Sequence, residues 1–388
     1  MKNFDQMKIF YAVLNMGLGH ATRSLPLIRE FIRRNAQVHI GSSGRALLFL
    51  RQEVPHADFI ELPDYGLDYT ARGVEIGRIL RQVPGVIRTI SKERQITAGI
   101  VEQHGIDLVI SDHRYGCYAQ KVPSFFISHQ LRFIAPPLLR RFEFVGAQFN
   151  RWFHRKYDGI IVPDERARHG GVLSGRLSQH SNRENYFFPG ILSSIMHWDI
   201  PQEDIDVLIS VSGPEPQRTA FEKIVRTQVA EIPGKKVVVL GMPESHEIEK
   251  PEPDTLILHH ADRKKMEEFY NRSQLIVARS GYSTIMELAE LGKKALFVPT
   301  PGQTEQIYLA ERFREKGWFY SAEQGELELK RDIPLALEYA GFQKHYSTKQ
   351  SLDNIFKFIS GSKSEISSDT TAILSDEIKK NRSSLPRE

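Results

Sequence analysis

Leu275 to Ala310 reads LIVARSGYSTIMELAELGKKALFVPTPGQTEQIYLA, and its order of apolar runs and turns decides the fold. Leu275 to Ala278 is a short buried-strand run, Arg279-Ser280-Gly281 is a turn, and Ile285, Leu288, Ala289 and Leu291 recur at helical spacing. Gly292 stops that helix, Ala295 to Val298 forms the next strand, and Pro299-Thr300-Pro301-Gly302 breaks it before Gln303, Glu305 and Gln306 open another helix. Strand, turn and helix in this order build a doubly wound sheet, whose ligands sit at the carboxyl ends of the strands. The first turn offers backbone N–H groups, the hydroxyls of Ser280, Ser283 and Thr284 and the positive end of a helix, a combination suited to a diphosphate. Glu287, three residues beyond Thr284, is placed to accept both hydroxyls of a ribose; Thr284-x-x-Glu287 reads equally as a capping box that only starts the helix.

The series Arg279-Ser280-Gly281-x-x-Thr284-x-x-Glu287, followed by Pro299 and then Glu305-Gln306, resembles the nucleotide-sugar site of GT-B glycosyltransferases of the MurG type. Those enzymes transfer N-acetylglucosamine from UDP to a lipid-linked acceptor. The resemblance implies two Rossmann-like doubly wound parallel-sheet α/β domains facing each other across a cleft. It places the Ser280-Gly281 turn on the diphosphate, Glu287 on the ribose and the polar pair Glu305-Gln306 after Pro299 on the donor sugar, with Gln303 among the nucleotide-sugar-binding residues. It covers the C-terminal half and is thin in the N-terminal half.

A chain of 388 residues exceeds the usual single-domain size, which makes two cores the expectation. Hydrophobic residues at 40% and charged residues at 26% exclude a wholly disordered chain. The single cysteine, Cys117, permits no internal disulfide and fits a reducing compartment. Met1 to Gln6 lacks the plan of a secretory signal and no apolar run reaches bilayer length, so a cytoplasmic location is expected. A net charge of +4 is too mild to argue for nucleic acid as a partner, though it suits an anionic substrate or surface.

Met7 to Leu14 is a first strand, leading through Asn15-Met16-Gly17-Leu18-Gly19-His20 into a helix with Leu25, Ile28, Phe31 and Ile32 on one face. Gln37 to Gly41, Asp58 to Leu62, Asp107 to Ser111, Ser124 to Ser128 and Gly159 to Val162 follow as strands, with a helix over Val74 to Gln103. Gly17-x-Gly19-x-x-Thr22 superficially matches a dinucleotide fingerprint, but the second strand ends at His39-Ile40-Gly41-Ser42 without the acidic residue that would take a ribose, which disfavours NAD. His20 resembles the histidine of the Gly-x-Gly-His loop that GT-B enzymes set opposite the donor, although Asn15-Met16 stands where the MurG type has more glycine. Ser111-Asp112-His113-Arg114 ends another strand; an Asp-His pair there is catalytic or an ordinary cap. Leu131 to Tyr157 mixes arginines with Phe133, Phe142, Phe144, Phe149, Trp152 and Phe153, a composition for an anionic bilayer surface or for a core helix with a basic outer face.

The expected division is an N-terminal acceptor domain over 1–188, a linker over 189–202, a C-terminal donor domain over 203–360 and a polar tail over 361–388. Val207 to Val211, Lys236 to Leu240 and Thr255 to His259 are the further strands; Ser212-Gly213 is a second anion loop, and the resemblance places the nucleotide base near His259. Asp204-Ile205-Asp206 copies a manganese motif but precedes its strand, on the wrong sheet edge. The resemblance then implies metal-independent, inverting transfer of a hexose or N-acetylhexosamine from a UDP-linked donor, the sole co-substrate, to a glycan or lipid-linked hydroxyl acceptor. His20 is the first choice of general base and Asp112 the second. Ser280 and Glu287 should then line the gap between the lobes. A non-hydrolysing UDP-sugar epimerase and a non-catalytic nucleotide-sugar binder are the alternatives on the same scaffold.

Overall fold

The computed structural model describes residues 4–66, 76–134, 141, 143–168, 170–179, 186–199, 203–242 and 244–361. The N-terminal half runs β1 (Lys8–Val13), α1 (Gly19–Arg33), β2 (Gln37–Ser42), α2 (Gly44–Glu53), β3 (Asp58–Glu61), α3 (Ile76–His104), β4 (Leu108–Asp112), β5 (Ser124–Ile127), α4 (Glu143–His154), β6 (Gly159–Ile161), a hairpin of β7 (Arg166–Ala167) and β8 (Gly170–Gly171), and β9 (Tyr186–Phe187). The C-terminal half runs β10 (Ile205–Ser210), α5 (Gln217–Gln228), β11 (Lys236–Val239), β12 (Ile248–Glu252), β13 (Thr255–Leu258), α6 (Arg263–Arg272), β14 (Ser273–Ala278), α7 (Tyr282–Leu291), β15 (Lys294–Phe297), α8 (Thr304–Glu315), β16 (Tyr320–Ser321), α9 (Leu329–Glu338) and α10 (Thr348–Ile359).

The first sheet has the order β3-β2-β1-β4-β5-β6-β9, and the second β12-β13-β11-β10-β14-β15-β16 with only β12 antiparallel. Both are doubly wound α/β sheets, and each reverses its winding beside its first strand, between β1 and β4 and between β10 and β14. Loops leaving those strands open a crevice, because the helices that follow depart to opposite faces. Helices cover both faces, so β1 and β14 are buried on both sides and read as continuous apolar runs. The expected strands return within one or two residues of the spans read from the sequence.

Helix α7 is the centre of the molecule. All but its Ser283 and Thr284 are buried, because the second sheet lies on one side and the N-terminal half on the other. Gly292 ends it in the left-handed conformation (φ 66), as the stop signal requires. Its N-cap is Gly281, with Thr284 inside the first turn, so the capping-box reading of Thr284 and Glu287 is corrected.

The last described helix, α10, returns to the first sheet. Phe356 of α10 packs edge-on against Phe4 and Phe31 at 4.8 Å, Arg34 covers it at 3.8 Å, and Phe358 stacks on Phe187 at 4.4 Å. The stretch read as a linker is packed where it is described: Ile191, Leu192 and Ile195 are buried, Ser193 N–H bonds Thr348 Oγ1 at 2.9 Å, and Asn354 holds the Pro189 carbonyl at 3.0 Å. Residues 200–202 of that linker, 135–140 and 142 of the aromatic-basic stretch, and 362–388 of the polar tail lie outside the described residues. Among the described residues no helix is long and apolar enough to cross a membrane. Asp204 and Asp206 stand at the amino end of β10, bonded to Arg272 and Lys235, on the edge opposite the crevice.

Candidate active site

Register brings the first cluster together. Pairing of β1 with β4 ends at Val13 and Asp112, so the Asp112 side chain emerges beside the loop that leads into α1. Gly19 starts α1, and His20, Arg23 and Ser24 then lie within reach of that carboxylate. His20 Nδ1 lies 2.7 Å from Asp112 Oδ1; Arg23 Nε donates to Asp112 Oδ2 at 2.7 Å and its Nη2 to Oδ1; Ser24 Oγ donates to Oδ2 at 2.9 Å. A nitrogen lone pair aimed at a carboxylate oxygen at that distance would be repelled, so Nδ1 carries the proton and Nε2 holds the free lone pair. The two sequence-predicted catalytic residues are therefore one pair.

Burial, then the neighbouring Arg23 charge, push the His20 imidazole below its ordinary value against the pull of Asp112, which leaves it neutral at neutral pH. Burial alone would raise Asp112, yet Arg23 and His20 hold it well below the usual carboxylate range. His113 completes the cluster in a left-handed conformation (φ 58), a strained placement of a kind that gathers at functional sites. Its Nε2 bonds Ser128 Oγ at 2.9 Å and its Nδ1 lies 3.3 Å from Arg23 Nη2. His20, Asp112 and His113 have ligand atoms within 4.8 Å of one another, the spacing of a metal site. Arg23 Nη2 contacts an atom of each of the three, so a guanidinium holds the position an ion would need. Behind the cluster, fully buried Arg114 bonds the Val13 carbonyl at 2.8 Å, the Pro63 carbonyl at 3.0 Å, Ser43 at 2.9 Å and Glu93 at 2.8 Å, fixing the exits of three strands at once.

The second cluster comes from the stretch Leu275 to Ala310. The first-turn N–H groups of α7 have no acceptor within the helix, and no side chain caps them. Ser283 and Thr284 are half-buried on that turn. A Cβ added to Gly19 would lie 3.2 Å from Ser283 Oγ, so the N-terminal ends of α1 and α7 abut across the seam between the halves, whereas Gly17 (φ 69) faces open space. Two positive helix ends therefore converge on the same place.

Several residues expected to touch a ligand directly are occupied within the protein. All five N–H positions of Arg279 face protein acceptors: the carbonyls of Ser212 (3.2 Å), Val298 (3.0 Å), Pro299 (3.4 Å) and Gln217 (3.0 Å), and Gln324 Oε1 (2.7 Å). It ties the loops together. Ser280 is buried, with its hydroxyl spent on the Gln306 carbonyl at 2.7 Å, and Gln306 Oε1 holds Thr300 N–H at 2.8 Å. Ser280 thus lines no gap, and its contribution is the placement of α8 against α7. Gly213 (φ 122) has Thr300 Oγ1 3.6 Å from where its Cβ would be, and that buried hydroxyl has no partner among the described residues. Gln303 is the N-cap residue of α8. His259 is bound at both ring nitrogens, by Ser245 Oγ and Glu249 Oε1 at 2.7 Å each, at the edge of the sheet. Glu287, 6% exposed, is paired with Arg263 and lies 3.4 Å from Ser194 Oγ, so it faces the linker.

Arg23, His113 and His129 carry the cluster together with the predicted pair; of these, His113 was singled out from the sequence only as part of an Asp-His pair, and Arg23 and His129 were missed. They sit on α1 and after β4 and β5, up to 106 positions apart, and no spacing rule joins them. His113 lay within the quoted Ser111-Asp112-His113-Arg114 loop; the run that leads into His129 was read only as the end of a strand.

Two facing Rossmann-like sheets, with a histidine–aspartate pair on one rim and an uncapped helix end on the other, define the GT-B architecture. Residues 223–352 match the model of the glycosyltransferase family 28 C-terminal domain, and residues 7–127 match that of glycosyl transferase family 1. The chain is a glycosyltransferase of the GT-B fold. It is similar to an uncharacterized glycosyltransferase of Methanosarcina acetivorans, 23% identical over 324 residues, which covers 80% of this chain and 82% of that one. Solved structures that share the fold include CalG4, the calicheamicin glycosyltransferase (TM-score 0.57, 15% identity, all of both chains), and MurG of Acinetobacter baumannii (TM-score 0.54, 14% identity, 90% of this chain and 99% of that one). A UDP-N-acetylglucosamine 2-epimerase shares it as well (TM-score 0.54, 13% identity, 93% of this chain and 98% of that one).

Proposed function

We propose that this glycosyltransferase moves a hexose or N-acetylhexosamine from a UDP-linked donor to a hydroxyl acceptor, with inversion and without a metal ion. The reading is carried by the His20–Asp112 pair, 2.7 Å apart, set where the α1 and α7 helix ends meet. His20 Nε2 takes the acceptor proton as the acceptor oxygen bonds to the anomeric carbon from the face opposite the leaving group. The bond from that carbon to the diphosphate breaks, and its electron pair goes to the departing phosphate oxygen. The N–H groups that open α7 stabilise that charge, with the Ser212-Gly213 loop beside them. Asp112 stabilises the imidazolium, while Glu287, steadied by Arg263, accepts from the ribose. The exposed face of α4 presents Phe144, Val145 and Trp152 near Arg132 and Arg151, which supports peripheral contact with an anionic bilayer bearing a lipid-linked acceptor.

A thermal-shift screen over nucleotides and nucleotide sugars tests the donor, since a ligand present at about 100 times its Kd adds roughly 2.7 kcal/mol of stability. UDP and its sugars should raise the Tm, and transfer to an acceptor should proceed unchanged in EDTA with an inverted product. Epimer formed from UDP-N-acetylglucosamine alone would replace transfer with epimerisation. Binding without turnover on any acceptor would leave a nucleotide-sugar carrier.

A further inference from the structure

The His20–Asp112 pair is wired to the opposite lobe by a chain of polar contacts. Arg23, 3% exposed, holds Asp112 through two nitrogens, and its third nitrogen, Nη1, lies 2.5 Å from His129 Nδ1. His129 follows β5 on the N-terminal sheet. Its Nε2 reaches 3.1 Å across the seam to Glu305 Oε1 on the first turn of α8, and its ring stacks flat, at 4.1 Å and 10°, on Tyr282, the first residue of α7. Tyr282 is pinned in turn by a 2.9 Å bond to the Pro163 carbonyl of the N-terminal half. One imidazole therefore touches the guanidinium behind the base, the carboxylate of the C-terminal rim and the helix whose end faces the diphosphate. Arg23 donates at Nη1, so His129 accepts at Nδ1 and carries its proton on Nε2, which makes the bond to Glu305 a donation to a carboxylate. Burial would raise Glu305, but His129 holds it below the usual carboxylate range, so it stays ionised.

We propose that Arg23 and His129 are positioning residues that couple the His20–Asp112 pair to Glu305, so that the base is set when the two rims meet around a donor sugar. This rests on the transferase reading above for the identity of that sugar. The groups facing His20 are Arg23 from α1, Asp112 and His113 from β4 and its exit, His129 after β5 and Glu305 from α8, while Tyr11 from β1 faces Asp112 and Arg23. Arg23 is the fixed positive charge among them, and it lies 2.9 Å from the His20 ring. Its removal must raise the basicity of His20, because Asp112 then acts on the imidazole unopposed.

The test is a titration of the His20 Cε1–H signal in selectively labelled full-length protein, run beside the pH dependence of kcat/KM. In Arg23→Gln the His20 midpoint should move up, with transfer roughly tenfold slower at about pH 6 and recovering in base. Arg23→Lys, which keeps the charge, should hold the midpoint near wild type. His129→Gln should give a smaller upward move and make the His20 signal insensitive to Glu305→Gln, whereas Glu305→Gln alone should shift it in the wild-type background. Should Arg23→Gln be too unstable to titrate, His129→Gln with and without Glu305→Gln decides the question. An unmoved midpoint in these variants, or an activity loss equal at every pH, would overturn the coupling. A midpoint that moves as stated in a protein that turns over no UDP-sugar would keep the coupling and remove the transferase reading instead.

Discussion

Asp112→Asn is the substitution on which most of the site depends. Asp112 is fully buried and accepts from His20, from two nitrogens of Arg23 and from Ser24. An amide keeps the volume but turns an NH2 toward one of those donors and leaves the Arg23 guanidinium buried without its counter-charge. Breaking a buried pair from one side costs about 3–5 kcal/mol, a large share of the roughly 5–15 kcal/mol that holds a typical protein folded. With a urea m-value of about 3 kcal/mol/M, the unfolding midpoint should fall by at least about 1 M. The sign with pH follows from the depressed Asp112 carboxyl. A depressed carboxylate contributes its stability fully above its unfolded value, about 3.9, and loses it as pH falls below that toward the folded value. The gap between wild type and variant should therefore be flat across neutral pH and close on acidification below about pH 4. Turnover should fall about 10²–10⁴-fold, since His20 loses both its orientation and the partner of its imidazolium. A variant within about 0.5 kcal/mol of wild type that also keeps kcat within tenfold would refute the reasoning; so would a gap that widens in acid.

His20→Ala should lower kcat by about 10²–10⁴-fold with UDP affinity kept, read by initial rates beside calorimetry. Because burial and Arg23 depress His20, the wild-type acid limb of kcat/KM should lie below the ordinary imidazole range, activity being lost only as pH falls through that depressed value. Glu287→Gln should weaken UDP binding by about 1–2 kcal/mol, roughly 5–30-fold in Kd, as charged hydrogen bonds to ribose become neutral ones; unchanged calorimetric affinity would remove Glu287 from the ribose. Gly116→Ala would put a Cβ 2.3 Å from the Ile90 carbonyl and 2.6 Å from Glu93 Cβ, which forces α3 off the sheet. It should cost about 1–3 kcal/mol by denaturant titration.

What could be read from the residues was whatever repeats locally. The strands and the stop at Gly292 follow from apolar runs and one left-handed turn, and the pattern of Leu275 to Ala310 was enough to orient a sheet and its carboxyl edge. Roles within the site were less legible because the same polar side chain serves either the ligand or the loop that holds it. Ser280, Gln306 and Arg279 have the right chemistry for a diphosphate and a sugar, yet their hydrogen bonds go to carbonyls and N–H groups of the neighbouring loops. Sequence spacing places a residue at an edge without saying which way its donors face. The cluster around Asp112 was only partly legible, in His20 and Asp112 but not in what joins them, for another reason: β1, β4 and β5 are adjacent only after pairing, and the stretch that leads into His129 offered no periodic signal. Arg23 sits three residues past His20 on one helix face, so a reader who trusted the His20–Asp112 pairing could have asked what neutralises a buried carboxylate. A buried anion needs a cation, and α1 held only one within a turn of His20.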